Sequence, residues 1–231
     1  MLGLVLLLWS ASGYVTAFGR AMNSIYEVAE GRTAWKLRLA AVPLGALLVF
    51  LLLLAGGALV LGGEMLSGME LSDATVLAWN IVRVPLALAL AATVIALLYY
   101  FSPNIKHPRL RWMSVGAAGA LTVWVLASLG LTLYFANFSS FDRSYGAIGG
   151  ALVFLLWLWL SNFALLLGGE FDAELERMRQ LRSGRAAEAH IFVQLRGTSA
   201  VATARNEELH DEIRARAIKD EAGRASAEHA D

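Results

Sequence analysis

The sequence predicts an all-α protein, a polytopic transmembrane helical bundle of about five spans with a charged cytoplasmic C-terminal tail. Hydrophobic residues make up 58% of the 231 residues, compared with about 45–50% in soluble domains. The excess is concentrated in long uncharged runs, which a soluble core helix has no reason to show on every side. These runs also lack the alternation of apolar and polar residues that marks a barrel strand.

Five stretches are long enough to cross a bilayer, because a helix needs about 20 apolar residues to span about 30 Å of hydrocarbon. The predicted spans lie near residues 1–19, 39–63, 79–105, 112–136 and 144–169, within a transmembrane domain over residues 1–169. The first stretch is short, and it is either a retained span or a secretory signal peptide with Ser10-Ala11-Ser12 near the cleavage site. The lack of a positive region before it favours the span.

Basic residues alternate between loops in the way that membrane topology requires, since cytoplasmic loops carry an excess of Lys and Arg. Seventeen of the 19 basic residues fall after the first span, after the third span or in the tail. The loop at residues 64–73 has three acidic residues and no basic one. This pattern predicts that the N-terminus of the chain lies outside and the C-terminus lies in the cytoplasm.

Residues 170–231 form the predicted cytoplasmic tail. The segment from Phe171 to Leu181 is predicted to be a short helix that leaves the membrane, with Glu174 and Arg177 at helical spacing. Beyond Ser183 the tail is rich in Ala, Arg and Glu, a composition that predicts disorder or a loose charged helix. The tail either binds a partner or is an inert, solvated segment.

Several classes of function are disfavoured by composition. The net charge is formally zero, so no basic field attracts nucleic acid. The chain has no cysteine, its four histidines are scattered, and no glycine loop followed by Lys suits a phosphate. We therefore predict no catalytic site, no metal site and no cofactor, and we expect the protein not to be an enzyme.

Arg83 is the one charged residue inside a predicted span. An intramembrane Arg costs about 2.5–3.5 kcal/mol on insertion scales, so such a residue is a functional candidate. Arg83 either snorkels to the outer headgroups or lines a polar cavity or transport path. Pro85, two residues later, is expected to bend the helix and free a carbonyl group nearby.

The last predicted span carries small and polar residues on one helical face. Gly146, Gly150 and Trp157 share this face, which favours close helix packing, with a substrate groove as the alternative. Gly116 and Ala120 offer a similar surface on the fourth span. Asn162 is expected to bond a neighbouring helix, and Glu170 is expected at the membrane boundary.

Several segments resemble the YihY/BrkB-type bacterial inner-membrane family, formerly labelled ribonuclease BN. The most specific segments are Tyr145-Gly146-Ala147-Ile148-Gly149, Leu156-Trp157-Leu158-Trp159 and Leu167-Gly168-Gly169-Glu170. Similar segments occur earlier, at Trp9–Gly13, at Ala21–Asn23 with Tyr26, Glu27, Glu30 and Arg32, at Tyr100-Phe101-Ser102-Pro103-Asn104, and at Trp112 with Gly116-Ala117. Pro103 and Asn104 are thereby candidate functional residues, with helix capping or headgroup contact as the alternative for Asn104.

The resemblance implies a multi-pass protein of the bacterial inner (plasma) membrane. Family members typically have six spans, so the sequence is expected to lack the first of them. We expect contact with the lipid bilayer, an anionic or amphiphilic small molecule or lipid as substrate, no nucleic acid, and oligomers through small-residue helix faces. A transport or lipid- and envelope-related role is the first hypothesis. A structural or assembly protein that acts through helix packing and the tail is the alternative.

Overall fold

The structure is a computed structural model that describes residues 2–61, 72–106, 114–137, 140–187 and 191–228. In this part of the chain it contains six α-helices. They are α1 (Leu2–Ile25), α2 (Ala34–Val60), α3 (Asp73–Phe101), α4 (Val115–Asn137), α5 (Ser140–Arg182) and α6 (Ser199–Glu228). The only extended pairing among these residues is an isolated antiparallel bridge between Ile105 and Leu195.

Helices α1 to α5 are each long and apolar enough to cross a membrane. This confirms the predicted all-α class with several transmembrane helices, since helices satisfy their own backbone groups in hydrocarbon. The helix α5 runs for 43 residues, so the predicted fifth span and the predicted short helix from Phe171 to Leu181 form one continuous helix. The loop at residues 64–73, used to predict orientation, lies mostly outside the described residues.

The five long helices form two packed units. The first unit contains α1, α2 and α3, and the second contains α4 and α5. Contacts fix the directions within each unit. The site of a Cβ on Gly45 in α2 lies 3.1 Å from the backbone of Ser12 in α1, and Nε1 of Trp79 in α3 donates to the carbonyl oxygen of Leu61 at 2.6 Å. Neighbours in sequence are therefore antiparallel.

The buried core lies at one end of the bundle, which we name the closed end. It contains the C-terminal ends of α1, α3 and α5 and the N-terminal ends of α2 and α4. Buried residues there include Met22, Leu98, Tyr99, Ala117 and Ala173. The positive-inside prediction places this closed end on the cytoplasmic side.

The opposite end, which we name the open end, is poorly packed within the described residues. In α1 the residues Leu2 to Leu7 are exposed, and in α5 Phe154, Leu155, Leu156 and Trp159 are exposed. In a bilayer such surfaces contact lipid chains or line an opening between the two units. The described bundle is therefore tightly packed at the closed end and loosely packed at the open end.

Small residues let α4 and α5 meet at the closed end. A Cβ atom on Gly168 would lie 2.4 Å from the carbonyl oxygen of Gly116 and 2.6 Å from Cβ of Ala120. Close approach of backbones through small residues is a common way for helices to associate in lipid. The carboxylate of Asp172 completes the contact, because its Oδ1 accepts from the N–H of Gly116 at 2.7 Å and so caps the start of α4.

We expect Gly168→Ala to destabilise the bundle, whereas Gly119→Ala should not. A methyl group at position 168 would collide with backbone of α4, and such overpacking typically costs about 1–3 kcal/mol. Position 119 has no atom within 4 Å of the corresponding methyl, and alanine favours a helix more than glycine does. The thermal midpoint in detergent, followed by circular dichroism, checks this. Equal midpoints for the two variants would contradict the packing.

Candidate functional site

A polar cluster at the closed end is centred on Asn104, whose side chain is 0% exposed. Its backbone N–H donates to Oδ1 of Asn23 at 2.7 Å. Its side-chain Nδ2 donates to the carbonyl oxygens of Ala29 at 3.1 Å and Gly197 at 3.0 Å, and its Oδ1 accepts from the N–H of Gly197 at 2.8 Å. Asn104 therefore ties the end of α3 to the α1–α2 loop and to the chain beyond α5.

Glu30 and Arg32 extend this cluster through a two-point ion pair. Nε and Nη2 of Arg32 lie 2.8 Å from Oε1 and Oε2 of Glu30, respectively. The amide of Asn23 donates to Oε2 of Glu30 at 2.8 Å, and Nη2 of Arg32 also donates to the carbonyl oxygen of Ser102 at 2.9 Å. The ion pair thus also binds the carbonyl group that follows the C-terminal end of α3. Its geometry is the planar, bidentate, charge-assisted one that arginine forms with carboxylates.

The electrostatics around Glu30 favour its charged form. Partial burial by itself would raise the pKa of the Glu30 carboxyl, but the hydrogen bonds and charge of Arg32, with the amide of Asn23, outweigh it and lower that pKa. Tyr26 lies just after α1 at the closed end. Burial raises the pKa of its phenol, and the nearby carboxylates of Asp172 and Glu176 raise that pKa further. Tyr26 therefore remains a neutral phenol at physiological pH.

The tail strand, which we define as residues 191–198, lies along the end of α3. The N–H of Lys106 donates to the carbonyl oxygen of Gln194 at 2.7 Å, and the N–H of Arg196 donates to that of Asn104 at 3.1 Å. The guanidinium of Arg196 donates from Nε to the carbonyl oxygen of Ile105 at 2.7 Å and from Nη2 to that of Tyr100. A cation at the C-terminal end of a helix is favourable, although burial lowers the pKa of Arg196.

Gln180, near the end of α5, holds the other end of the tail strand. Its Nε2 donates to the carbonyl oxygen of Phe192 at 3.0 Å, and its Oε1 accepts from the N–H of Phe192 at 2.9 Å. Arg177, also on α5, pairs with Glu27 of the α1–α2 loop at 3.0 Å. The tail strand and this ion pair therefore connect the two packed units at the closed end.

A second polar feature joins α1 of the first unit to α5 of the second. The hydroxyl of Tyr14 on α1 donates to Oδ1 of Asn162 on α5 at 3.0 Å, and Nδ2 of Asn162 donates to the carbonyl oxygen of Leu158 at 2.8 Å. No hydrogen bond, ion pair or ring contact joins α1 to α5 further toward the open end in the part of the chain that the structure describes. The Tyr14–Asn162 pair is thus the polar contact between α1 and α5 that lies nearest the open end among the described residues.

Arg83 lies in the N-terminal half of α3, toward the open end, and is partly buried. It shares a helical face with Ala87, Val94 and Leu98, which are buried, so this face turns toward the rest of the bundle. Within the described residues Arg83 makes no hydrogen bond or ion pair. Oδ1 of Asn80, one turn away, is buried without a partner among those residues. Pro85 lies inside the helix and is exposed.

The other predicted site residues are distributed along α5 and the end of α3. Nε1 of Trp157 donates to Oγ of Ser128 at 3.0 Å, so Trp157 contacts α4. Gly149 is buried, whereas Gly150 is exposed with open space around it. Glu170 is exposed and lines a groove of 360 Å³ between α4 and α5, and Pro103 is buried beside Asn104. The backbones of Tyr145 and Gly146 belong to α5, and their side chains lie outside the described part.

The structure therefore brings together residues that sequence reasoning did not combine. Asn23, Glu30 and Arg32 lie in a segment that resembles the family, but they were not predicted as site residues. A Glu and an Arg two residues apart in a short loop are nevertheless a signal that the sequence offers. Gln180, Arg196 and Gly197 carried no such signal, because their partners are distant in sequence. No group of three metal-ligating side chains occurs among the residues that the structure describes.

Stability should fall in acid because of Glu30. Since its folded-state pKa lies below the ordinary value of 4.5, its contribution to stability is complete above the unfolded pKa and is lost as pH falls through the lowered folded pKa. We expect the thermal midpoint of the wild type to drop between about pH 5 and about pH 3, and that of Glu30→Gln to drop less. Parallel curves for the two proteins would contradict this role.

We expect Asn104→Ala to destabilise the protein more than Asn162→Ala. Truncation of the fully buried Asn104 side chain removes its hydrogen bonds to the backbone of Ala29 and Gly197, each contributing about 0.5–1.5 kcal/mol in net terms. Asn162 bonds only an accessible hydroxyl and a carbonyl of its own helix. Chemical or thermal unfolding of detergent-solubilised protein checks the order, and the reverse order would refute it.

Comparison with known proteins agrees with this architecture. A family model described as virulence factor BrkB matches residues 1–191. The putative ribonuclease-like protein YfkH of Bacillus subtilis (strain 168) is 32% identical over 183 residues, which cover 78% of this chain and 66% of that protein. A UPF0761 membrane protein of Tolumonas auensis is 28% identical over 185 residues, which cover 75% of this chain and 57% of that protein.

A further UPF0761 membrane protein, from Chromobacterium violaceum, is 31% identical over 179 residues, which cover 75% of this chain and 40% of that protein. The chain thus spans less than two thirds of the length of each of these three relatives. No solved structure matches it. With a family model over most of its length and five helices able to cross a membrane, the chain belongs to the virulence factor BrkB family of membrane proteins with several transmembrane helices.

Proposed function

We propose that this protein moves an anionic amphiphile, most simply a lipid, along the crevice between its two packed units, in the bacterial inner membrane and with its C-terminus in the cytoplasm. The observation that carries the proposal is the uneven packing of the bundle. Polar contacts join the units at the closed end, and among the described residues none joins α1 to α5 beyond the Tyr14–Asn162 pair. We infer a crevice there that is open to hydrocarbon on one side and blocked at the closed end.

The polar groups along the crevice support a ligand with a charged head and apolar chains. Arg83 lacks a partner among the described residues and lies on the core-facing side of α3. A guanidinium in that setting favours a negative group such as a phosphate. The exposed leucine, valine and isoleucine side chains of the outer halves of α1 and α3 offer contacts for acyl chains.

We also propose that the chain is not an enzyme. The ribonuclease-like wording in the name of the Bacillus relative belongs to that protein. Metal-dependent nucleases hold their ions with clustered carboxylates and histidines. Among the described residues no such cluster forms, and the one described histidine, His210, lies on α6.

A structural or assembly role is the second candidate, and one observation favours it. Helix α6 is 30 residues long and exposes Leu209 and Ile213. A partner protein would cover this apolar surface. Deleting residues 204–228 keeps the tail strand and the first turn of α6, whose Ser199 and Ala200 bond the carbonyl oxygen of Gly31. Loss of a stoichiometric co-purifying protein on this deletion, with lipid movement unchanged, would assign the assembly role to α6 alone.

Lipid movement by reconstituted protein tests the first candidate. We expect vesicles containing the wild type to expose fluorescent anionic lipid from the inner leaflet to an external quencher. Arg83→Ala should slow this about tenfold, equivalent to about 1.4 kcal/mol in the barrier, and Arg83→Lys should slow it less. Arg214→Ala, at an exposed position on α6, is the matched control. A wild-type rate in Arg83→Ala would refute the role of Arg83.

A further inference from the structure

The tail strand is held by two side-chain amides that recognise its backbone. Asn104 bonds both the N–H and the carbonyl oxygen of Gly197, and Gln180 bonds both those groups of Phe192. Both amides are at least 96% buried. A side-chain amide that bonds both the N–H and the carbonyl oxygen of one residue recognises an extended backbone and not a particular side chain. The addition of a strand to a sheet edge uses backbone hydrogen bonds in the same way.

These two amides belong to different packed units. Asn104 follows α3 in the first unit, and Gln180 lies on α5 in the second. The tail strand therefore bridges the units at the closed end, and Arg196 adds hydrogen bonds to the two carbonyl groups at the end of α3. Separation of the units at this end requires the tail strand to leave at least one of the two amides.

The attachment combines hydrogen bonds with a limited apolar contact. Ile191 is buried in the core and Val193 packs against that core, whereas Phe192 is 56% exposed and Gln194 is exposed. Hydrogen bonds contribute only about 0.5–1.5 kcal/mol each in net terms, because water replaces them when they break. Arg196, moreover, has only carbonyl oxygens and aromatic rings as partners among the described residues. A segment bound in this way can detach without unfolding the bundle.

Close packing ensures that the attached state is specific. A Cβ atom on Gly31 would lie 1.8 Å from the carbonyl oxygen of Gly197, so the tail strand fits only against a glycine there. The N–H of Ala200 and the hydroxyl of Ser199 both donate to the carbonyl oxygen of Gly31. The start of α6 is thus part of the same contact, and detachment of the tail strand would move α6.

We propose that residues 191–198 form a releasable latch that keeps the closed end shut and opens it by leaving Asn104 and Gln180. When the latch is released, the closed end opens, and the crevice then has a second opening at that end of the bundle. Its link to transport rests on the proposed function above. Its release can be measured without any substrate.

Accessibility of Ile191 tests release directly, because the chain has no cysteine and Ile191, within the tail strand itself, is 6% exposed. We expect Ile191→Cys to react slowly with a membrane-impermeant maleimide in detergent. Adding Arg196→Ala, or separately Gln180→Ala, should raise the labelling rate about tenfold, since each removes one or two hydrogen bonds. Arg214→Ala should leave it unchanged, and monodisperse elution of each variant excludes unfolding as the cause.

A reversible cross-link tests the consequence. Lys106 and Gln194 are exposed and lie opposite each other beside the Ile105–Leu195 bridge, a position compatible with a disulfide. We expect oxidised Lys106→Cys/Gln194→Cys protein to lose lipid movement and to regain it on reduction, whereas each single variant is insensitive to oxidant. Full activity of the locked protein, or unchanged labelling in both Arg196→Ala and Gln180→Ala, would overturn the latch.

The two proposals fail in different ways. If labelling increases as expected but neither the wild type nor the reduced double variant moves lipid, the latch stands and the transport function fails. If the wild type moves lipid and the locked protein does so equally well, the transport function stands and the latch fails.

Discussion

Helix ends leave backbone N–H and C=O groups without intrahelical partners, and five helix ends meet at the closed end of this bundle. Side chains from distant parts of the chain bond several of these groups. The carboxylate of Asp172 accepts from the first turn of α4, and the amide of Asn23 accepts from the N–H of Asn104. Arg32 and Arg196 donate to the carbonyl groups that end α3. The polar cluster is therefore first a solution to helix termination.

Polar contacts between the two units are concentrated toward the closed end. Among them, the hydroxyl of Tyr99 bonds the carbonyl oxygen of Leu165, and Glu27 pairs with Arg177. Toward the open end the helices present leucine, valine and phenylalanine, which gain little from mutual contact when lipid chains are equally apolar. The described bundle is therefore held by polar contacts at one end and by weaker apolar association at the other.

Many contacts that depend on one another hold the closed end together. Each of its hydrogen bonds is individually weak, but several are anchored in buried amides and in a two-point ion pair, so removing one group exposes others. A tail strand that bonds to both units through its backbone provides a single element whose departure loosens the whole end. This arrangement also links α6, which has few contacts of its own, to the transmembrane helices.

Sequence by itself determined the number and location of the long apolar helices, because the need to satisfy backbone groups in hydrocarbon acts locally and leaves a compositional record. It also identified Arg83 as unusual and Asn104 as part of a recognisable segment. Only the tertiary structure decided that Asn104 bonds Gly197 across 93 residues and that Gln180 holds Phe192. Those pairings arise because folding brings helix ends together, and no local pattern of polar residues records which distant backbone group each side chain will meet. The tertiary structure also decided that α5 continues through the predicted membrane boundary. Asp172 and Ala173 pack against neighbouring elements there and so hold the helix in place.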